Sequence, residues 1–170
     1  SELLTIAAND EDTWFQSFEK ASDPTALIGQ KNYFRYKKTK LLFRINEGYK
    51  EWDVMRGLIA AAIASATIRI SVDDKVSSTW KSLLNEWGEL VVEPELTCAS
   101  GAKIYERAFV HGTCSEEFFK IFREQNTHVF TDAPNVNSRI ELLKVCREQS
   151  LSIDVHRYGN VPEQSISKLY

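Results

Sequence analysis

The chain predicts an α/β domain, a mostly parallel sheet with helices on both faces in a Rossmann-like three-layer arrangement, and three observations predict it. Segments of β-branched or alternating character, LLFRIN at 41–46 and TIRISV at 67–72, are interleaved with segments whose apolar residues recur at three- and four-residue steps. Helices apolar on one face need a sheet to pack against, and right-handed crossovers make the strands they connect parallel. The 170 residues are 43% apolar and 26% charged with a formal charge of -3, which supports one buried core and excludes a disordered chain.

Residues 1–25 place Trp14, Phe15 and Phe18 among acidic and polar neighbours, an N-terminal segment that folds only by docking on the rest and is broken by Asp23-Pro24. The stretch ALIGQKNYFRYKKTK has no helical period and leads into the 41–46 strand, which ends in a turn at Gly48. A helix follows from Glu51, with Trp52, Met55, Ile59 and Ile63 on one face and Glu51 and Asp53 at its N-terminus. After the 67–72 strand, Trp80, Leu83, Leu84 and Trp87 mark a second helix, with Ser77 or Ser78 as its cap and Gly88 as its stop. A strand is expected over 89–96 with Pro94 near its end, then a loop TCASG, while IYERAFVHG fits helix or strand equally. The remainder reads as a helix at 115–125 burying Phe118, Phe119 and Phe122, and a strand at 128–131. A helix capped by Asn137 with Ile140, Leu143 and Cys146 inward and a last strand at 151–155 complete it.

No apolar stretch approaches the roughly 20 residues that span a bilayer, and the opening residues lack the basic start and apolar run of a secretory signal, so the cytoplasm is the expected compartment. Cys98, Cys114 and Cys146 are widely spaced without a CxxC pair, which argues for reduced thiols and against a structural zinc. The first strand-to-helix turn, INEGYKEWDVM, holds a single glycine. Glu47, Glu51 and Asp53 put negative charge where a pyrophosphate would sit, so no nucleotide cofactor is expected. Cys114 near His111 has the composition of a nucleophile and base, but the same residues read as a turn before the Phe118 helix; Cys98 in TCASG has no recognisable base. Lys31, Arg35, Lys37, Lys38 and Lys40 alternate with Tyr33, Phe34 and Tyr36, a mixture that can track single-stranded nucleic acid. In an acidic chain it reads instead as a ribbon whose basic face is solvated or docks on an acidic partner, and no nucleic acid is expected. His156, Arg157, Tyr158, Gly159 and Asn160 gather at the end of the last strand, either as a ligand group or as a hydrogen-bonded clasp.

Three segments, in order from about Ala26 to Asn160, carry a resemblance. ALIGQKNYFRYKKTKLLFRI, VMRGLIAAAIASATIRISVD and IELLKVCREQSLSIDVHRYGN resemble the opening motif, the Ala-rich helix and strand, and the terminal His-Arg-Tyr-Gly signature of one domain. That domain is the C-terminal, aldehyde-dehydrogenase-superfamily-like domain of long bifunctional proline utilization A proteins and some related 1-pyrroline-5-carboxylate dehydrogenases. Gln30 stands where the family pattern has Glu, and residues 90–131 carry no matching motif. The resemblance implies a non-catalytic domain of an enzyme that oxidises proline with FAD and glutamate semialdehyde with NAD, this domain holding neither cofactor. Its partners would be the catalytic domains of the parent chain and copies of the assembly. Gly29, Asn32, Arg35 and Tyr36 of the opening motif would be domain contacts, as would His156, Arg157, Tyr158, Gly159 and Asn160 of a terminal segment 153–170 that helps close the intermediate's internal route. The reading that needs no resemblance is a free-standing α/β domain that binds a small molecule or regulates.

Overall fold

In β2 (Lys40–Ile45) every residue after Lys40 is buried, as a strand covered on both faces requires, and β2 is the centre of the sheet. The fold is taken from a computed structural model that describes residues 2–27 and 30–154. Five parallel strands run in the order β4-β3-β2-β5-β6. β3 (Thr67–Val72) pairs with β2 from Lys40↔Thr67 to Ile45↔Val72, and β5 (Arg107–His111) lies on the other side from Leu41↔Arg107 to Ile45↔His111. β4 (Glu89–Val92) and β6 (His128–Phe130) are the edges. The chain thus winds outward from β2 to β4, crosses over, and resumes at β5, so strand order reverses between β2 and β5.

One apolar layer joins Leu41, Phe43 and Ile45 to α2 (Glu51–Ile63), α3 (Ser78–Leu84) and α6 (Ser138–Val145) through Val54, Leu58, Leu84, Leu142 and Val145. The opposite layer joins Leu42, Ala108 and Val110 to α4 (Glu95–Ser100) and α5 (Glu116–Glu124) through Cys98, Ala99, Phe118 and Phe122. Across the sheet Phe43 stacks on Phe109 at 4.8 Å and Phe109 on Phe130 at 5.0 Å, an arrangement that adds to plain burial. This is the α/β three-layer class that the strand and helix alternation predicts.

α1 (Glu2–Ser17) docks on α2 and α6 by buried Ile6 and Asp10, and Phe18 just beyond it enters the core. Asp10 and Arg56 are both fully buried and meet at 2.6 and 3.1 Å through two guanidinium nitrogens. Arg56 Nε donates to Asn135 O at 3.1 Å, and Asn135 N donates to the buried Glu141 carboxylate at 2.7 Å. One charged network therefore fixes α1, α2 and α6 together.

Several boundaries differ from the sequence reading. β4 stops at Val92, and Pro94 takes the N-cap of α4, so TCASG lies at the end of a helix rather than in a loop. The φ of Pro94, -60°, suits a helix start, and proline cannot donate to a ladder. The 104–112 segment is strand from Arg107 to His111. α6 turns Leu142 and Val145 inward, not Ile140 and Leu143, which are 46% and 38% exposed. Cys146 is buried as expected but begins β7 (Cys146–Asp154), which starts five residues before the strand expected at 151–155. β7 pairs antiparallel with β1 (Gln30–Lys38) in a separate two-stranded ribbon, outside the parallel sheet.

The helix starts follow the capping residues. Ser77 and Ser115 accept from Trp80 N and Phe118 N, and Asn137 Oδ1 accepts from Arg139 N at 3.0 Å and Ile140 N at 3.4 Å. Asn137→Ala is expected to cost about 1 kcal/mol, read as a lower urea midpoint at unchanged slope. No helix among the described residues is long and apolar enough to cross a membrane.

Candidate functional site

Open α/β sheets present ligands at the carboxyl ends of strands where strand order reverses, here between β2 and β5. These two ends are tied to each other. Asn46 N donates to His111 O at 2.8 Å, and Asn46 Nδ2 donates to Thr113 O at 2.7 Å and Cys114 Sγ at 2.8 Å. Thr113 N donates to Glu47 O at 3.3 Å. Gly112 permits the closure: its φ is +91°, and a Cβ there would stand 2.5 Å from Asn46 O and 2.6 Å from Glu47 O. α2 begins nearby with Lys50 at its N-cap, Glu51 and Asp53 in its first turn, and Glu51 accepting from Trp80 Nε1. A pyrophosphate needs glycine amides and an anion-free helix start, so these residues do not fit a dinucleotide.

Two clefts flank this closure. One of about 360 Å³ is lined by Asn46, Glu47, Asp73, Lys75, Glu95 and Thr113. The other, about 300 Å³, is lined by Lys50, Asp53, His111, Thr131 and Asp132 among others. Arg44, fully buried beneath the carboxyl ends, donates through Nη1 to Ser71 Oγ and Glu93 O, both at 2.8 Å, and lies 3.8 Å from Asp73. It fastens β2 to β3 and to the turn before α4.

His111 is 8% exposed and its Nε2 has no hydrogen-bond partner. Desolvation pushes its pKa down from 6.5 to about 4, so it is neutral in the folded chain. The unfolded chain binds this proton near pH 6.5 and the folded chain only near 4. The associated stability is therefore complete above about 6.5 and is lost as pH falls from there toward 4, by about 3 kcal/mol in all. Urea midpoints measured from pH 7 to 4 should show a decline that His111→Gln flattens across the upper part of that range.

The sequence-level nucleophiles are not assembled. Cys114 takes its hydrogen bond from Asn46 rather than from His111, and burial together with Glu95 pushes its thiol up to about 12. Cys98 is buried and its pKa is raised by desolvation. Neither is the thiolate that nucleophilic catalysis requires. Among the described residues no group of three His, Cys, Asp or Glu side chains is placed to hold a metal.

The opening-motif residues lie in the β1–β7 ribbon. Asn32 joins three pieces: its N–H donates to Asp23 at 3.1 Å, its Nδ2 to Thr25 Oγ1 at 2.7 Å, and its Oδ1 accepts from Ser152 Oγ at 2.6 Å. Asp23 Oδ1 also accepts from Thr25 N and Ala26 N, and these backbone donors, Ala26 and Asn32 foremost, hold its carboxyl down at about 2. Arg35 Nε donates to Gln149 Oε1 at 2.8 Å, across the register pair Arg35↔Gln149. Tyr36 packs on Phe18 at 4.3 Å and edge-on to Phe34, and its partial burial, with Glu148 nearby, raises the phenol pKa. Gly29, His156, Arg157, Tyr158, Gly159 and Asn160 lie outside the described residues. Sequence reasoning missed Asn46 and Gly112, whose closure joins positions far apart in the chain, and Arg44, which reads as the polar member of an alternating strand.

No protein-family model matches the chain, and no curated protein matches it. Solved structures do. Proline utilization A (PutA) from Corynebacterium freiburgense superposes with a TM-score of 0.61 at 22% identity, over 92% of this chain and 14% of that one. Histidinol dehydrogenase from Elizabethkingia anophelis superposes with a TM-score of 0.56 at 12% identity, over 77% of this chain and 34% of that one. The chain spans a minor part of the length of both proteins, and what it shares with those parts is a Rossmann-like α/β fold.

Proposed function

We propose that the chain is a non-catalytic domain of a proline-catabolic enzyme, docked on the parent's NAD-dependent semialdehyde dehydrogenase domain. Its terminal segment would help enclose the route taken by the intermediate. The observation that carries this reading is the ribbon. The opening motif and the terminal motif of the resemblance are distant in sequence, and Asn32–Ser152 and Arg35–Gln149 join them in one two-stranded unit. Among the described residues no strand pairs with the second edge of β7, and an uncovered nine-residue edge is a template for pairing with another segment. The likeness to a PutA chain supports a domain within a longer polypeptide, and the closure at Gly112 supports a domain that has given up the dinucleotide site of its fold. In this reading NAD, and FAD where a proline dehydrogenase is fused, belong to the catalytic domains, and the assembly works in the cytoplasm.

The test uses the full-length parent. Arg157→Ala is expected to leave oxidation of added semialdehyde nearly unchanged while semialdehyde made from proline escapes to an aldehyde-trapping amine. Coupled proline-to-glutamate transit with no trapped semialdehyde would contradict the enclosing role. The 170-residue chain is further expected to give no saturable NAD signal in calorimetry, and micromolar NAD binding would contradict the non-catalytic reading.

A further inference from the structure

The 360 Å³ cleft at the carboxyl ends of β2 and β3 has an imbalance of polar groups that the docking reading does not use. Asn46 is 4% exposed and lines this cleft; both hydrogen bonds of its Nδ2, to Thr113 O and Cys114 Sγ, fix the amide orientation, and its Oδ1 is left without a partner. Three carboxylates share the lining. Glu47 is paired with Lys75 at 2.7 Å, and Asp73 faces the buried Arg44 at 3.8 Å and accepts from Lys75 N at 2.9 Å. Glu95 accepts from Ser115 N at 3.3 Å and, among the described residues, has no cation in ion-pair reach. The cleft therefore holds one uncompensated carboxylate and one buried, unused acceptor. A group that supplies a single positive charge and several N–H donors matches both, and a buried acceptor left unsatisfied is costly. An anion would meet Glu95 and Glu47, and a neutral diol would leave the charge unanswered.

We propose that this cleft binds the ammonium group of a small primary amine, Glu95 taking the charge and Asn46 Oδ1 accepting one of its N–H donors. The site goes beyond the docking role and does not depend on it. In the sense of fold topology it lies beside the closed switch point, in the half of the crevice that the Gly112 contact leaves open.

The experiment titrates the isotope-labelled 170-residue chain with n-propylamine, propionate, 1-propanol and trimethylpropylammonium at matched ionic strength, following backbone and side-chain amide signals. Propylamine is expected to shift the signals of Asn46, Glu47 and Thr113 saturably in the millimolar range, and the other three probes are not. Glu95→Gln keeps an acceptor for Ser115 N and so keeps the local fold; it should weaken propylamine by about tenfold, the size of one charge-assisted contact. Equal response to trimethylpropylammonium, which has no N–H, or to 1-propanol would overturn the proposal. So would unchanged propylamine affinity in Glu95→Gln, or no saturable shift at these residues in the unsubstituted chain.

Discussion

Arg56→Met is expected to destabilise the chain by about 3–5 kcal/mol, the range for removing one partner of a buried ion pair. Methionine preserves most of the side-chain volume, so the loss comes from charge rather than from a cavity. The substitution leaves Asp10 with no partner in a site where both side chains are fully buried, and it frees Asn135 O as well. α1 should be the first element to detach, because Asp10 and Ile6 are its buried residues. Urea unfolding of the variant should show a lowered midpoint, with amide protection in α1 lost ahead of that in β2 and β3. The double change Asp10→Leu with Arg56→Met removes both charges and should recover most of the loss, since a well-packed apolar pair is often as stable as a buried ion pair. A single variant within 1 kcal/mol of the parent, by the same measurement, would mean that the network does not hold α1.

Gly112→Ala carries the second large effect, an expected loss of about 3 kcal/mol. The new Cβ would fall 2.5 Å from Asn46 O and 2.6 Å from Glu47 O, and these are backbone atoms at the end of the central strand, which cannot swing aside as a side chain can. The left-handed φ of +91° adds strain that does not depend on space. Accelerated amide exchange at Asn46 and Thr113 should accompany the loss, because their hydrogen bonds close the same contact. A fully stable Gly112→Ala chain would show that the two strand ends can part readily, and it would reopen the crevice as a ligand site.

The elements that were legible in sequence share a physical reason. β2 and β3 are buried on both sides, so their residues form near-continuous apolar and β-branched runs, and the helix at Glu51 has a broad apolar face against them. α6 misled because Ile140, Leu142, Leu143 and Val145 surround an eight-residue helix, and no periodicity selects which side faces the core. β7 was expected to be shorter because a strand of a two-stranded ribbon exposes much of both faces, and CREQSLSID shows no clean alternation. Pro94 marked a boundary correctly, but a proline that ends a strand and one that begins a helix leave the same local signal.

The site was less legible than the fold. Asp10–Arg56, Asn46–Thr113 and the Gly112 contact each join residues far apart in the chain, and charged or amide side chains within amphipathic patterns read locally as solvent-facing. The absence of a phosphate loop was visible in INEGYKEWDVM, whereas the physical closure of the crevice became visible only when β5 was seen beside β2. The resemblance supplied Asn32, Arg35 and Tyr36 without geometry. Their hydrogen bonds and ring contacts place them in the ribbon, between the Asp23 turn, Phe18 and β7.

The central claim, a docking domain within a longer proline-catabolic polypeptide, is tested most directly by the mass of the native chain in its source cells. An antibody raised against this domain would detect the band, and peptide mass spectrometry would read its contents. The account predicts a band several-fold heavier than 19.5 kDa that contains peptides of an NAD-dependent dehydrogenase domain, with or without those of a flavin domain. A band at 19.5 kDa holding these peptides alone would contradict it and leave the free-standing small-molecule-binding domain as the reading.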